Sequence, residues 1–561
     1  MSELDELLRF DVLRTELQAL ADEMAIRLMR SSFSAVIRDF LDFSTVLCDA
    51  DGRVIAQGFA LPLHLGAIPR AMEALRARFV EGLDPGDVVV LNDPYGGGMH
   101  LPDLFVMAPA HAAGRLVGYA VCVAHHADVG GRVPGGAAAD SREIFEEGLR
   151  LPAVKLYAAG RVVADVERLI KANVRLPEVL WKDLSAQVAS CRSGTEGLLE
   201  LERRYGAQGF AEQCERLLSH SRRSLRAAVS SWPDGVYEYE DFEDNDGLSE
   251  RIVPIHVRVT VRAGRISFDF AGTSPQVAGS INCTLSFTES ACYAAVRALC
   301  PPDVPVNQGF FDDIIVHAEP GTLVHARFPA GVAARGVIGY RIIETIFGAL
   351  AAALPDSVPA AGDGGTTGIR IGGFREDGTR FQFNDIVCGS WGARPGLDGL
   401  DGAAGIASNI SNRPIESAER EDPVRIHAYG LVADSAGAGR FRGGLAVRRV
   451  VELLATEATL QLRSHRNRTR PYGLLGGEPG SLSATYLLRD GVRVQLPAKT
   501  TLRVRRGDVI EHVTASGGGI GPVSQRSADL IAADLADEKV TTTHHGVTNG
   551  SPLLREEAHE S

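Results

Sequence analysis

Apolar residues open the chain at helical spacing. Leu13, Leu17, Leu20, Met24 and Leu28 follow one another at steps of four, three, four and four, which predicts a helix from an N-cap at Asp11 to about Met29. The period then shortens. In LDFSTVLCDADGRVIAQ (41–57) two apolar runs flank Asp51-Gly52 and predict two strands joined by a hairpin turn. LPLHLGAIP (61–69) predicts an irregular loop, and 70–80 a short helix. The turn Asp84-Pro85-Gly86-Asp87 delivers a strand over 88–91, and a further apolar strand spans 116–124. Residues 141–149, with Glu143, Glu146 and Glu147, predict a short acidic helix, and a long helical region runs from about 165 to 230 with a break at Gly194–Gly197.

Beyond Trp232-Pro233-Asp234-Gly235 the pattern becomes period two, most clearly in RIVPIHVRVTVRAGRISFDF (251–270). Helices are predicted over 284–299 and 337–354, and after about 360 short strands alternate with glycine-rich turns such as GAGRFRGGLAV, YGLLGGEPG and ASGGGIGP. The expected fold class is α+β, a multi-domain mixed chain: 1–231 with the candidate chemistry and a helical segment, 232–359 mixed, 360–550 strand-rich, and a disordered polar tail over 551–561. No repeat with a period of 20–50 residues is present.

Composition narrows the function classes. Lys plus Arg (58) less Asp plus Glu (71) gives −13, which argues against a polyanionic partner such as nucleic acid. None of the eight cysteines forms a C-x-x-C pair and most sit in apolar runs, the usage of a reduced compartment. MSELDELLRF is acidic where a signal peptide is basic, and the apolar stretch 337–354 contains Arg341 and Glu344. A cytoplasmic chain without a membrane span is expected. Glycine, 61 of 561 residues, is in excess of the usual ~7% and clusters in loops, where the backbone turns tightly or approaches a ligand.

The strongest chemical signal lies in LNDPYGGGMHLPD and YAVCVAHHADVGGRVPGG, between 91 and 136. His100 and Asp103 form one group, and His125, His126 and Asp128 the other, each placed directly after or before an apolar strand. Imidazole combined with carboxylate suits Zn²⁺, Mn²⁺ or Fe²⁺ better than Ca²⁺ or Mg²⁺. Adjacent residues at a strand end point to opposite faces, so one of His125 and His126 is a ligand and the other orients substrate or supports the ligands. Asp39 and Asp42 are alternatives for a further carboxylate; Asp128, Asp140, Glu143 and Glu147 are candidates for a general base or a supporting group. An open position on such an ion would let it acidify a water. No nucleotide-binding residues are predicted: G-x-x-x-x-G-K-[ST] is absent, and Gly437-Ala438-Gly439 lacks the rest of a dinucleotide fingerprint. G-x-S-x-G is also absent, and no cysteine has an adjacent histidine.

At these residues the chain resembles the hydantoinase B/oxoprolinase family, over about 9–547. The likeness rests on LDFSTVLCDADGRVIAQ (41–57), PLHLGAI (62–68), GDVVVLNDPYGGGMHLPD (86–103), AHHADVGGRVPGG (124–136), DFAGTSPQVAG (269–279) and DSAGAGRFRGGL (434–445), extended by GLLGGEPG (473–480) and the Gly517–Pro522 loop. The resemblance implies a metal on His100, Asp103 and His125 with a carboxylate from the segment before D-F-S, and a role for His126 and Asp128 beside it. It also implies a hetero-oligomer with an A-type ATPase subunit that binds ATP and phosphorylates the carbonyl of a small lactam or hydantoin. This chain departs from the family in three places: IRDFLDFS has Asp39 and Phe40 where relatives show Glu and Arg, ASGGGIGP lacks a longer run ending in Y-G-D-P, and THHGV stands for Y-G-V. The expected function is therefore the metal-bearing B subunit of an ATP-dependent cyclic-amide hydrolase. The alternatives are a subunit of an acetone- or acetophenone-type ketone carboxylase and a non-catalytic scaffold for the A subunit.

Overall fold

The computed structural model describes residues 3–541. The polar tail and the THHGV departure lie outside them. Four sheets and the helices packed on them give a mixed α+β architecture.

The first sheet positions the candidate chemistry. Its strands are β1 (Phe43–Asp49), β2 (Val54–Ala60), β3 (Val88–Leu91), β4 (Asp103–Ala112), β5 (Arg115–His125), β6 (Val154–Ala158) and β7 (Arg161–Val162), in the spatial order β2-β1-β5-β4-β3-β6-β7. The central strands are apolar on both faces because both are covered. Val46, Phe105, Met107, Val121 and Val123 join a core shared with the Ala67–Arg78, Leu285–Leu299 and Gly336–Leu350 helices. Leu47, Val106, Ala120 and Cys122 face the Glu3–Ser31 and Pro177–Tyr205 helices.

The second sheet contains β8 (Gly235–Glu243), β9 (Val253–Arg262), β10 (Arg265–Asp269) and β11 (Ile314–His317), in the order β11-β10-β9-β8. The third joins β12 (Thr366–Phe374), β13 (Arg380–Cys388), β16 (Glu457–Arg463) and β19 (Lys499–Arg505) in the order β13-β12-β16-β19. The fourth holds β14 (Val424–Leu431), β15 (Val447–Leu453), β17 (Ala484–Arg489), β18 (Val492–Gln495) and β20 (Val509–Val513). These last two sheets share one core through Ile371, Phe383, Val451, Leu460 and Ile510.

Arg341 and Glu344, the charges that interrupt the predicted apolar helix, are both buried in a cluster of ion pairs. Arg341 meets Asp241 and Glu243 of β8 at 3.4 Å each and Glu344 at 3.2 Å; Arg466 reaches Asp241 at 3.0 Å, and Lys499 reaches Glu243 at 2.6 Å. Removing one member would leave a buried partner uncompensated, so the cluster fixes how the second sheet, the Gly336–Leu350 helix and the third sheet meet.

Several sequence expectations need correction. The first helix spans Glu3–Ser31 with Asp11 in its interior, because ELDELLRF consists largely of good helix formers. The 61–69 segment is not irregular: Pro62–Leu65 and Ala67–Arg78 are both helical, with Pro62 at the first turn where its missing N–H is tolerated. The acidic helix is a single 3₁₀ turn, Ile144–Glu146. Nor is there a break at Gly194–Gly197. The helix runs unbroken from Pro177 to Tyr205, and these glycines let it approach its neighbours. A Cβ on Gly194 would stand 2.4 Å from Met24 Sδ and 2.8 Å from the Ala120 Cβ. The real breaks are at Val174–Leu176, before Pro177, and at Gly206, φ 76°. The cysteines are all unpaired and buried, and no helix of the described residues is long and apolar enough to cross a membrane.

Candidate metal centre

The site forms at one end of the first sheet, where two strand termini and one strand approach converge. Asp103 begins β4 and His125 ends β5, and they are register partners, so both side chains leave the same face. His100 stands three residues before Asp103 in the turn that enters β4. Asp42 immediately precedes β1, whose Phe43 is opposite Ala124, and the Asp42 carbonyl accepts a hydrogen bond from the His125 N–H at 3.0 Å.

His100, Asp103 and His125 can each offer a ligand atom with all three within 4.8 Å of one another. His100 Nε2 lies 3.1 Å from Asp103 Oδ1, and the two imidazole rings are 5.1 Å apart between centroids. All three are buried together with Asp42. Asp42 Oδ1 and His125 Nδ1 have no hydrogen-bond partner, and His100 Nε2 and Asp103 Oδ1 face only each other. Buried polar atoms in native proteins are nearly always satisfied, so under-satisfied donors and acceptors gathered in one place mark a site built for something else to bind. A borderline cation that accepts nitrogen and oxygen fits this donor set.

The groups behind these residues fix their orientation. Arg335 donates to Asp103 Oδ2, turning Oδ1 into the cavity. His100 Nδ1 is 3.1 Å from the Ala333 carbonyl. Arg335 Nη1 stands at the same distance from Nδ1, 3.1 Å, so the guanidinium and the carbonyl compete for it; binding of a cation at Nε2 selects the tautomer that donates the Nδ1 proton to Ala333. Ala333 is held in turn by Glu147, whose Oε1 accepts from the Val332 and Ala333 N–H groups at 2.7 and 3.0 Å.

Electrostatics keep the histidines neutral. Burial, reinforced by Arg335, pushes His100 down to about 4, and burial with Arg370 holds His125 well below the usual histidine range. Burial would raise the Asp103 carboxyl, but the Arg335 guanidinium on Oδ2 favours its charged form, and it stays well below its ordinary value. For Asp42 burial prevails, helped by the Asp103 charge, and its carboxyl rises to about 7.

A cavity of ≈60 Å³ opens over these atoms, and Arg335, Arg370, Arg463, His64 and Tyr340 are in its wall. The sequence reading missed the three arginines. A charged residue inside an apolar run, as in GVAARGVIGY or the alternating GIRIGG, is the signal that could have found them.

The other predicted residues lie elsewhere. His126 leaves the opposite face of the sheet, where its Nε2 is 2.8 Å from Gln187 Oε1 on the Pro177–Tyr205 helix. Asp128 is buried, accepting from the backbone N–H groups of Gly130, Gly135 and Arg175 at 3.0, 3.0 and 2.7 Å, and so shapes the glycine-rich turn. Asp39 pairs with Arg38 at 2.7 Å and Ser417 at 3.0 Å and does not line the cavity. Asp140 pairs with Arg132 at 2.7 Å.

A sequence model described as Hydantoinase B/oxoprolinase matches residues 6–523. The chain belongs to the hydantoinase B/oxoprolinase family. Within reach of it is the caprolactamase subunit beta of Pseudomonas jessenii, 30% identical over 94% of this chain and 93% of that one. The crystal structure of ATP-dependent caprolactamase from Pseudomonas jessenii superimposes with a TM-score of 0.89 at 29% identity, covering 95% of this chain and 94% of the other. The nucleotide-free structure of acetone carboxylase has the same fold: TM-score 0.88, 18% identity, and coverage of 96% and 78%.

Proposed function

We propose that this hydantoinase B/oxoprolinase family chain is the metal-binding subunit of an ATP-dependent hydrolase of cyclic amides such as lactams or hydantoins. In this reading a hydantoinase A-type ATPase subunit activates the substrate carbonyl with ATP. The observation that carries the reading is the convergence of buried ligand atoms of His100, Asp103 and His125 within 4.8 Å of one another, with Asp42 beside them. The family membership and the subunit name of the caprolactamase relative support the partner.

His100, Asp103 and His125 would hold a divalent Zn, Mn or Fe ion, with Asp42 as the added carboxylate. When bound, that ion supplies Lewis-acid polarisation of a carbonyl or activation of water for attack. The chain's own residues prepare the place. Arg335 and the Ala333 carbonyl orient Asp103 and His100, and neutral histidines keep their lone pairs at neutral pH. The cavity, ≈60 Å³, leaves little room for water beyond the molecule that attacks the activated carbonyl.

The test is metal analysis of the purified chain and its His100→Ala variant, followed by ATP-dependent ring opening in the complex with the A subunit. The wild type should retain close to one ion per chain and the variant should lose both ion and activity. Equal metal content with equal activity would refute the site. Incorporation of bicarbonate into a ketone in place of ring opening would assign the chain to the carboxylase branch instead.

A further inference from the structure

Charge does not balance around the cavity. Three guanidinium groups line it, those of Arg335, Arg370 and Arg463, against the carboxylates of Asp42 and Asp103. Asp103 is already paired with Arg335, and Asp42 has His64 Nε2 at 3.6 Å. Arg370 and Arg463 appear in no ion pair among the described residues. Arg370 donates from Nη1 to the Gly135 carbonyl at 3.0 Å and its Nη2 stands 3.4 Å from His125 Nε2; the buried Nε of Arg463 has no partner.

The third sheet delivers both. Arg463 ends β16 directly opposite Gly368 of β12, and Arg370 lies two residues along on the same face, so the two guanidinium groups are diagonal neighbours. The Gly336–Leu350 helix also begins at the cavity wall, with Gly336 among the lining residues, and its N-terminus adds partial positive charge. A divalent cation on the histidines and Asp103 would add two more charges. Buried like charges at this density are costly without a counter-ion, and an arginine fork is shaped for two oxygens of one group.

We propose that the cavity is an oxyanion site, in which Arg370 and Arg463 hold a phosphoryl or carboxylate group of the substrate beside the metal ligands. The proposal rests on the reading of the metal centre for what lies next to the anion, and on the third sheet alone for what holds it. It gives the family site a substrate class: a molecule that arrives bearing negative charge. The two arginines are binding residues here, and the group they take is either transferred onto the substrate beforehand or part of it.

The experiment is isothermal titration of the full-length chain with inorganic phosphate and with acetate, once chelator-stripped and once reloaded with Mn²⁺, for wild type, Arg463→Gln and Arg463→Lys. Stripped wild type should bind one of the two anions, and Arg463→Gln should weaken that binding about tenfold or more, the loss of one charge-assisted hydrogen bond. Arg463→Lys, which keeps the charge without the fork, should fall between them, and it decides the matter if Arg463→Gln does not fold. Tighter phosphate points to a phosphorylated substrate and tighter acetate to a carboxylate. Binding only after reloading, with the same affinity in wild type and both variants, would overturn the proposal, since the metal alone would then hold the anion. Absence of binding to either anion in both states would overturn it too. Retention of the phosphate or acetate result in a protein that proves unable to hold metal would refute the metal reading and leave this one standing.

Discussion

Glu147 offers a quantitative test of how the site is held. It is buried, and burial pushes its carboxyl up from 4.5 to about 8, against the Ala333 and Val332 N–H groups that favour the charged form. Below pH 4.5 both folded and unfolded chains carry the proton. Between 4.5 and 8 the unfolded chain releases it while the folded chain keeps it, so folding weakens as pH rises and levels off above 8. At about 1.36 kcal/mol per pH unit, the loss is about 1 kcal/mol at pH 5.5 and about 3 kcal/mol at pH 7. Glu147→Gln cannot ionise, and its own Oε1 can still accept the two backbone N–H groups. With an unfolding entropy of about 2.1 cal/mol/K per residue over the chain, a single transition would gain about 1 °C at pH 5.5 and about 3 °C at pH 7. Differential scanning fluorimetry across pH 5–8 measures this. A Tm difference between variant and wild type that stays flat with pH would show that Glu147 is ionised throughout and that this account of it is wrong.

Other outcomes follow from the same geometry. If Asp42 is a ligand, proton and metal compete for it, so metal affinity should fall about tenfold per unit as pH drops below about 7, and Asp42→Asn should bind more weakly and lose that dependence; titration with a competing chelator measures both. Asp39→Asn should leave metal content unchanged, because its carboxylate is paired with Arg38 outside the cavity; metal loss in that variant would reverse the assignment. Gly194→Ala should destabilise by about 1–3 kcal/mol through overpacking against Met24 and Ala120, despite the better helix propensity of alanine. A Cβ at Gly197 would overlap both methyl groups of Leu20 and reach its Cγ, so Gly197→Ala should also destabilise, but by less than Gly194→Ala, because the half-buried Leu20 can swing toward solvent whereas the Ala120 Cβ cannot move; urea unfolding compares the two.

The sequence made the local parts of this site legible and concealed the remote ones. The period-two rule placed His125 and His126 on opposite faces, and the sheet sends one to the cavity and the other to Gln187. The choice between Asp39 and Asp42 was not readable, because it depends on one residue: Leu41 adopts φ 62°, a left-handed kink that sends the two carboxylates apart. Gly194 and Gly197 read as a helix break because glycine lowers propensity, whereas their use is contact with Met24, Leu20 and Ala120 from other elements. Arg370 and Arg463 were missed for a similar reason: a charge inside an alternating strand can be noticed, but that the two meet over one cavity comes from a strand register that spacing does not encode.

That register has a consequence for how the molecule is made. His100, Asp103 and His125 are brought together once the first sheet exists; the Ala333 carbonyl and Arg335 that orient them come later, and Arg370 reaches His125 across a separation of 245 residues. At a synthesis rate of about 5–20 residues per second, roughly 12–50 seconds divide the emergence of the two. A growing chain that had already closed β4 on β5 would present its histidines and aspartate to cellular metal throughout that interval, before any third-sheet arginine arrived to repel a cation. The order of the genetic message would thus favour the ion entering first and the positive wall closing behind it.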